Sequence, residues 1–122
     1  MIKDTVDQML KANSKNPCKL EGGAFCASFE VEPNGEPWIQ AKDGALNIYY
    51  PFDSPPNILL PELSLDELPS IAFPAWQENK FATIAFDSIS VDDLTNYIDR
   101  LFQKLYNLPE DYIVNTEVFD MR

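Results

Sequence analysis

Six of the ten prolines in this 122-residue chain fall between Pro51 and Trp76: Pro51, Pro55, Pro56, Pro61, Pro69 and Pro74. Proline fixes φ and donates no backbone hydrogen bond, so no long helix and no central strand can run through that stretch. It is not a hydrophilic linker, because Phe52, Ile58, Leu59, Leu60, Leu63, Leu65, Leu68, Ile71, Phe73 and Trp76 lie inside it. We read it as a crossover that lies over a sheet and contributes to its core. Ser64 followed by Glu67 has capping-box spacing, which predicts one helical turn before Pro69 stops it.

The hydrophobic period differs on the two sides of this segment. Over residues 2–14, Ile2, Val6, Met9 and Leu10 share one face of a 3.6-residue period, which predicts a helix ended by Asn13, Asn16 and Pro17. From Ala24 to Glu32 the period is two, with Phe25, Ala27, Phe29 and Val31 alternating with Cys26, Ser28, Glu30 and Glu32. Turn signals at Pro33-Asn34-Gly35-Glu36 and Asp43-Gly44 then separate strands Trp38–Lys42 and Ala45–Tyr50, giving a three-strand meander. Beyond the crossover, Lys80–Phe86 reads as a fourth strand. Ser90 is a good N-cap, with Asp92 and Asp93 in the first turn and an Ile89–Leu94 staple around it. Val91, Leu94, Ile98, Leu101, Leu105 and Leu108 continue as an apolar seam of about five turns. Asn107 and Pro109 end it, and Tyr112–Phe119 reads as a last strand. The class is therefore α+β. The expected architecture is one domain with an antiparallel sheet of about five strands, packed on one face by the N-terminal and the long C-terminal helix.

The formal charge is −11 and unevenly spread. Residues 1–20 hold four lysines against two acids, whereas no basic residue stands between Lys42 and Lys80. Such a surface repels nucleic acid and anionic lipid, which are bound through Lys and Arg, and attracts basic proteins. No run of apolar residues is long enough to span a membrane. The first residues carry acids where a signal peptide needs a basic region, so a cytoplasmic location is expected.

Candidate chemistry is sparse. The chain has no histidine, which removes the common triads, zinc-protease plans and facial triads. Cys18 and Cys26 are too far apart for a metal knuckle or redox pair, and Cys26 in an acidic surround reads as an inert thiol. Asp87, Asp92 and Asp93 lack the glycine of a calcium loop and read as helix capping and solvated charge. Gly22-Gly23 does not open a helix and implies no phosphate loop. No catalytic, metal or cofactor residue is assigned. The candidate partner-binding residues are Leu59, Leu60, Phe73 and Trp76 of the crossover, and Tyr97, Phe102 and Tyr106 beside the helix seam. These widen the apolar surface past what one sheet needs.

This order of elements, with its acidic charge, resembles the type III secretion chaperone fold and the related YbjN-like bacterial proteins over Ile2 to Leu108. The resemblance carries no residue motif. It implies a dimer, or a monomer of that shape, that holds a partner segment in extended form. The leading expectation is a non-catalytic protein-binding domain of chaperone, adaptor or regulatory type, using apolar surface or a sheet edge. An acidic immunity-type inhibitor of a basic toxin or nuclease is the alternative, and a small enzyme using carboxylates or an unrecognised cofactor the third. The seam is compatible with a homodimer and with a monomer.

Overall fold

The computed structural model describes residues 2–15, 24–32 and 34–121. Helix α1 (Ile2–Lys15) buries Thr5, Val6 and Met9, the face its periodicity predicts. Its end is tied to the first strand by one amide. Asn13 Oδ1 accepts from the Phe25 N–H at 2.7 Å while its Nδ2 donates to the Phe25 carbonyl at 3.1 Å. Cys18, Gly22-Gly23, Asn16, Pro17 and Pro33 lie outside the described residues.

Strands β1 (Phe25–Val31), β2 (Trp38–Lys42) and β3 (Ala45–Tyr50) form the expected antiparallel meander, with Phe29 opposite Ile39 and Ile39 opposite Ile48. Gly44 turns β2 into β3 at φ +87°, and a Cβ there would lie 3.2 Å from the Phe86 carbonyl, so glycine answers both demands. Phe29, Ile39, Ala41, Leu46, Ile48 and Tyr50 are buried and share one face. The helices supply the other half of this core through Val6, Met9, Leu60, Leu94, Ile98, Leu101 and Phe102.

The crossover is more structured than its prolines suggest. Helix α2 (Pro56–Glu62) starts on Pro56, where the missing N–H is one a helix would leave unpaired anyway. Ser64 does not open a helical turn; it closes α2. Its φ is +57°, its N–H bonds Pro61 O at 3.0 Å, and the Leu65 N–H reaches back to Leu60 O at 2.8 Å. This is a Schellman-type stop, with serine in the left-handed position glycine usually takes. Strand β4 (Ala72–Gln77) follows and was not expected. Pro74 is tolerated because β4 is an edge strand whose register shifts between Ala72 and Ala75. β5 (Lys80–Ala85) and β6 (Val114–Asp120) bring the sheet to six antiparallel strands in the order β4-β5-β3-β2-β1-β6, against about five expected.

Helix α3 (Val91–Arg100) is capped by Ser90, whose Oγ accepts the Asp93 N–H at 3.1 Å. Its continuation, Leu101–Leu105, is π-helical, and the Tyr106 N–H bonds Leu101 O at 3.2 Å. The extra residue in that turn carries Tyr106 to the end of the sheet, where its hydroxyl donates to the Tyr49 carbonyl and its ring stacks on Tyr49. No described helix is long and apolar enough to cross a membrane.

Candidate binding site at a sheet edge

Among the described residues the sheet has two edges, β4 and β6. An edge strand presents unpaired backbone N–H and C=O groups and is a template for another chain unless something blocks it. β4 is blocked: Pro74 lacks the donor and the register shift breaks the regular spacing. β6 pairs with β1 over seven consecutive positions, from Phe25 opposite Asp120 to Val31 opposite Val114, without proline or bulge.

Two hydrogen bonds at the ends of this ladder fix which way the β6 backbone faces. Met121 N donates to Ala24 O at 2.8 Å, and Glu32 N to Ile113 O at 3.1 Å. Groups facing a neighbour alternate along an antiparallel strand, so Asn115, Glu117 and Phe119 also face β1. The N–H and C=O groups of Val114, Thr116 and Val118 therefore point away from the sheet. Side chains alternate as well. Val114, Thr116 and Val118 lie on the helix-packed face beside Val31, Phe29 and Ala27, while Asn115, Glu117 and Phe119 lie on the opposite face beside Glu30, Ser28 and Cys26.

The surroundings of β6 are acidic and partly apolar. Residues 105–121 contain Glu110, Asp111, Glu117 and Asp120 and no Lys or Arg. Among the described residues Ile113, at the entrance to β6, is the most exposed of the three large apolar side chains that stand out to solvent, at 66%. Beside it opens a cavity of about 380 Å³ lined by residues that include Ile2, Lys3, Thr95, Asn96, Asp99, Glu110, Tyr112 and Val114, with the Lys3 ammonium paired to Asp92 at 2.9 Å. Asp99 there accepts the Tyr112 hydroxyl at 2.6 Å and Gln103 Nε2 at 2.9 Å. The buried Thr95 hydroxyl has no partner among the described residues.

A larger hollow of about 530 Å³ lies between the crossover and α3. Its polar groups already serve the fold: Arg100 pairs with Glu67 and donates to Ser64 O, and Tyr97 donates to Leu65 O at 2.7 Å. The helix-free face of the sheet holds a shallow depression of about 410 Å³ lined by Trp38, Gln40, Asn47, Lys80 and Phe81.

The residues singled out from sequence are distributed differently. Leu60, Tyr97 and Phe102 are at most 2% exposed and belong to the core, so they offer no surface to a partner. Leu59, Phe73 and Tyr106 are half-buried against that core, and Trp76 keeps 36% exposure at the β4 edge with its ring on Tyr50. The surplus apolar surface expected of the long helix is absorbed by the sheet and the crossover. Sequence reasoning did not single out β6. The run from Val114 to Asp120 reads as a strand without proline, but its place at the sheet edge follows only from the assembled sheet.

Burial is the leading cause that raises several side chains above their ordinary titration range. It pushes the Cys26 thiol up against the opposing pull of Lys42, which makes Cys26 a poor nucleophile. Burial, then the charge of Asp53, raises Tyr50 to about 12. Tyr97, Tyr106 and Tyr112 are pushed up in the same sense, Tyr112 also through its bond to Asp99. Among the described residues no group of three or more Cys, Asp or Glu could hold a metal ion. Comparisons with protein-family models, with curated proteins and with solved structures find no match to this chain.

Proposed function

We propose that this chain is a non-catalytic binding domain that engages a protein partner by strand addition at β6. The observation that carries the reading is the contrast between a regular seven-residue edge with outward backbone groups at Val114, Thr116 and Val118 and a second edge closed by Pro74 and a register shift. Strand addition draws its affinity from main-chain hydrogen bonds and needs no special side chains, which agrees with a sequence lacking residue motifs.

Thr116→Pro tests this. The Thr116 N–H points outward, so proline there removes a donor for an added strand while leaving every bond to β1 in place. Partner capture should be lost in Thr116→Pro and kept in Thr116→Val, with both variants folded by circular dichroism. Equal capture by the two variants would sink strand addition at this edge.

A further inference from the structure

The chemistry around β6 restricts which strand it accepts. A strand laid against β6 continues the alternation of the sheet, so its side chains fall in two sets. Those on the helix-packed face meet Val114, Thr116 and Val118. Those on the other face meet Asn115, Glu117 and Phe119, with Glu117 central. The cavity at the entrance adds the carboxylates of Asp99 and Glu110. Between Leu105 and Met121 there is no lysine or arginine, and Lys3, the one cation among the described residues that line the cavity, is paired with Asp92 at 2.9 Å.

A second copy of this chain fits poorly. Antiparallel pairing of β6 with itself in the register of fullest overlap sets Glu117 directly opposite Glu117, and like charges directly opposed are destabilising. Each copy also brings a formal charge of −11, which adds long-range repulsion. An edge charge of this kind is a known guard against self-pairing, and the same charge favours a strand of opposite sign.

Resting on the strand-addition reading, we propose that the segment bound by β6 is a basic extended strand from another protein. Apolar residues alternate with Lys or Arg along it. One cation lies over Glu117, and another enters the cavity beside Asp99 and Glu110.

The test uses three short peptides, monomeric by sedimentation, in which valine alternates with lysine, threonine or glutamate. Each is titrated at low salt by fluorescence anisotropy into the whole chain, into Thr116→Pro and into Glu117→Lys. The lysine peptide should bind about tenfold tighter than the threonine peptide, from about two- to fivefold for each carboxylate that a cation faces. The glutamate peptide should be weakest. Glu117→Lys should narrow or reverse that order, and Thr116→Pro should abolish binding of all three. Equal binding of the lysine and threonine peptides, still lost in Thr116→Pro, would overturn the charge selection and leave strand addition standing. Lysine-peptide binding that survives Thr116→Pro would show attraction by charge alone and overturn both. Binding of none of the three would overturn both as well.

Discussion

The two edges of this sheet are built on opposite principles. At β4 the chain arrives from a proline-rich crossover that buries Leu60, Leu65 and Leu68 in the core, and the strand itself is irregular, mostly exposed and held by its pairing with β5. At β6 the chain arrives from a π-helical turn and runs straight along β1 for seven residues. One edge is interrupted by a proline and a register shift, whereas the other is regular and acidic. The difference teaches that one sheet can end in two strands of opposite backbone character, and it is this contrast on which the proposal of strand addition at β6 rests.

The largest expected effect lies on the closed side. Leu60→Ala empties a fully buried site under the crossover and should cost about 3 kcal/mol. Chemical denaturation reads the loss, and hydrogen exchange should rise in β4 and β5 before it rises in β1. A uniform rise would mean that the two edges are not separate units of stability. On the open side, proline substitution should be asymmetric. Glu117→Pro removes a donor that faces β1 and should cost about 2 kcal/mol, whereas Thr116→Pro should cost less than about 1 kcal/mol. Equal costs would mean that the outward and inward residues of β6 are assigned the wrong way round.

Pro74→Val sharpens the comparison from the other side. It restores a donor to β4, so stability should change by less than about 1 kcal/mol while concentration-dependent self-association appears in sedimentation. Unchanged sedimentation would show that the register shift alone closes that edge. The smallest effect near neutrality is that of pH. Tyr50 donates to Ser54 O and packs on Trp76 beneath the β4 edge. Its folded pKa of about 12 lies above the ordinary 10.0, so its contribution is full below pH 10.0 and is lost as pH rises through about 12. Tyrosinate absorbance should lag behind that of the unfolded chain over this window and rise together with loss of near-ultraviolet dichroism. Titration of all five tyrosines near 10.0 in the folded protein would contradict it.

Much of the fold is legible in the sequence, because periodicity reports which side of an element is buried. The alternation in β1 to β3 and the Ser90 cap are local signals, and each is met by a local structure. What escaped depends on distant partners. Ser64 and Glu67 have the spacing of a capping box, but Glu67 is taken by Arg100, and Ser64 adopts φ +57° to turn Leu65 into the core. The breadth of the long helix, with Tyr97, Phe102 and Tyr106 beside its seam, looked like a partner surface. Tyr97 and Phe102 instead fill space that the crossover and sheet leave, which only the assembled layers define. The β6 edge escaped for the same reason: a strand is an edge only once its neighbours are known, and nothing in the run from Val114 to Asp120 says that β1 will be its neighbour in the sheet.

The π-helical turn has a further consequence for how this chain can change length. An α-helix advances one turn per 3.6 residues, so removing Lys104, an exposed residue of Leu101–Leu105, would restore regular helical bonding. It would also swing everything after it by about a quarter turn, taking Tyr106 off Tyr49 and displacing the segment that delivers Ile113 to the start of β6. A deletion that tidies the helix would thus misplace the open edge, and the length of this turn is held in place by a strand that begins nine residues beyond it.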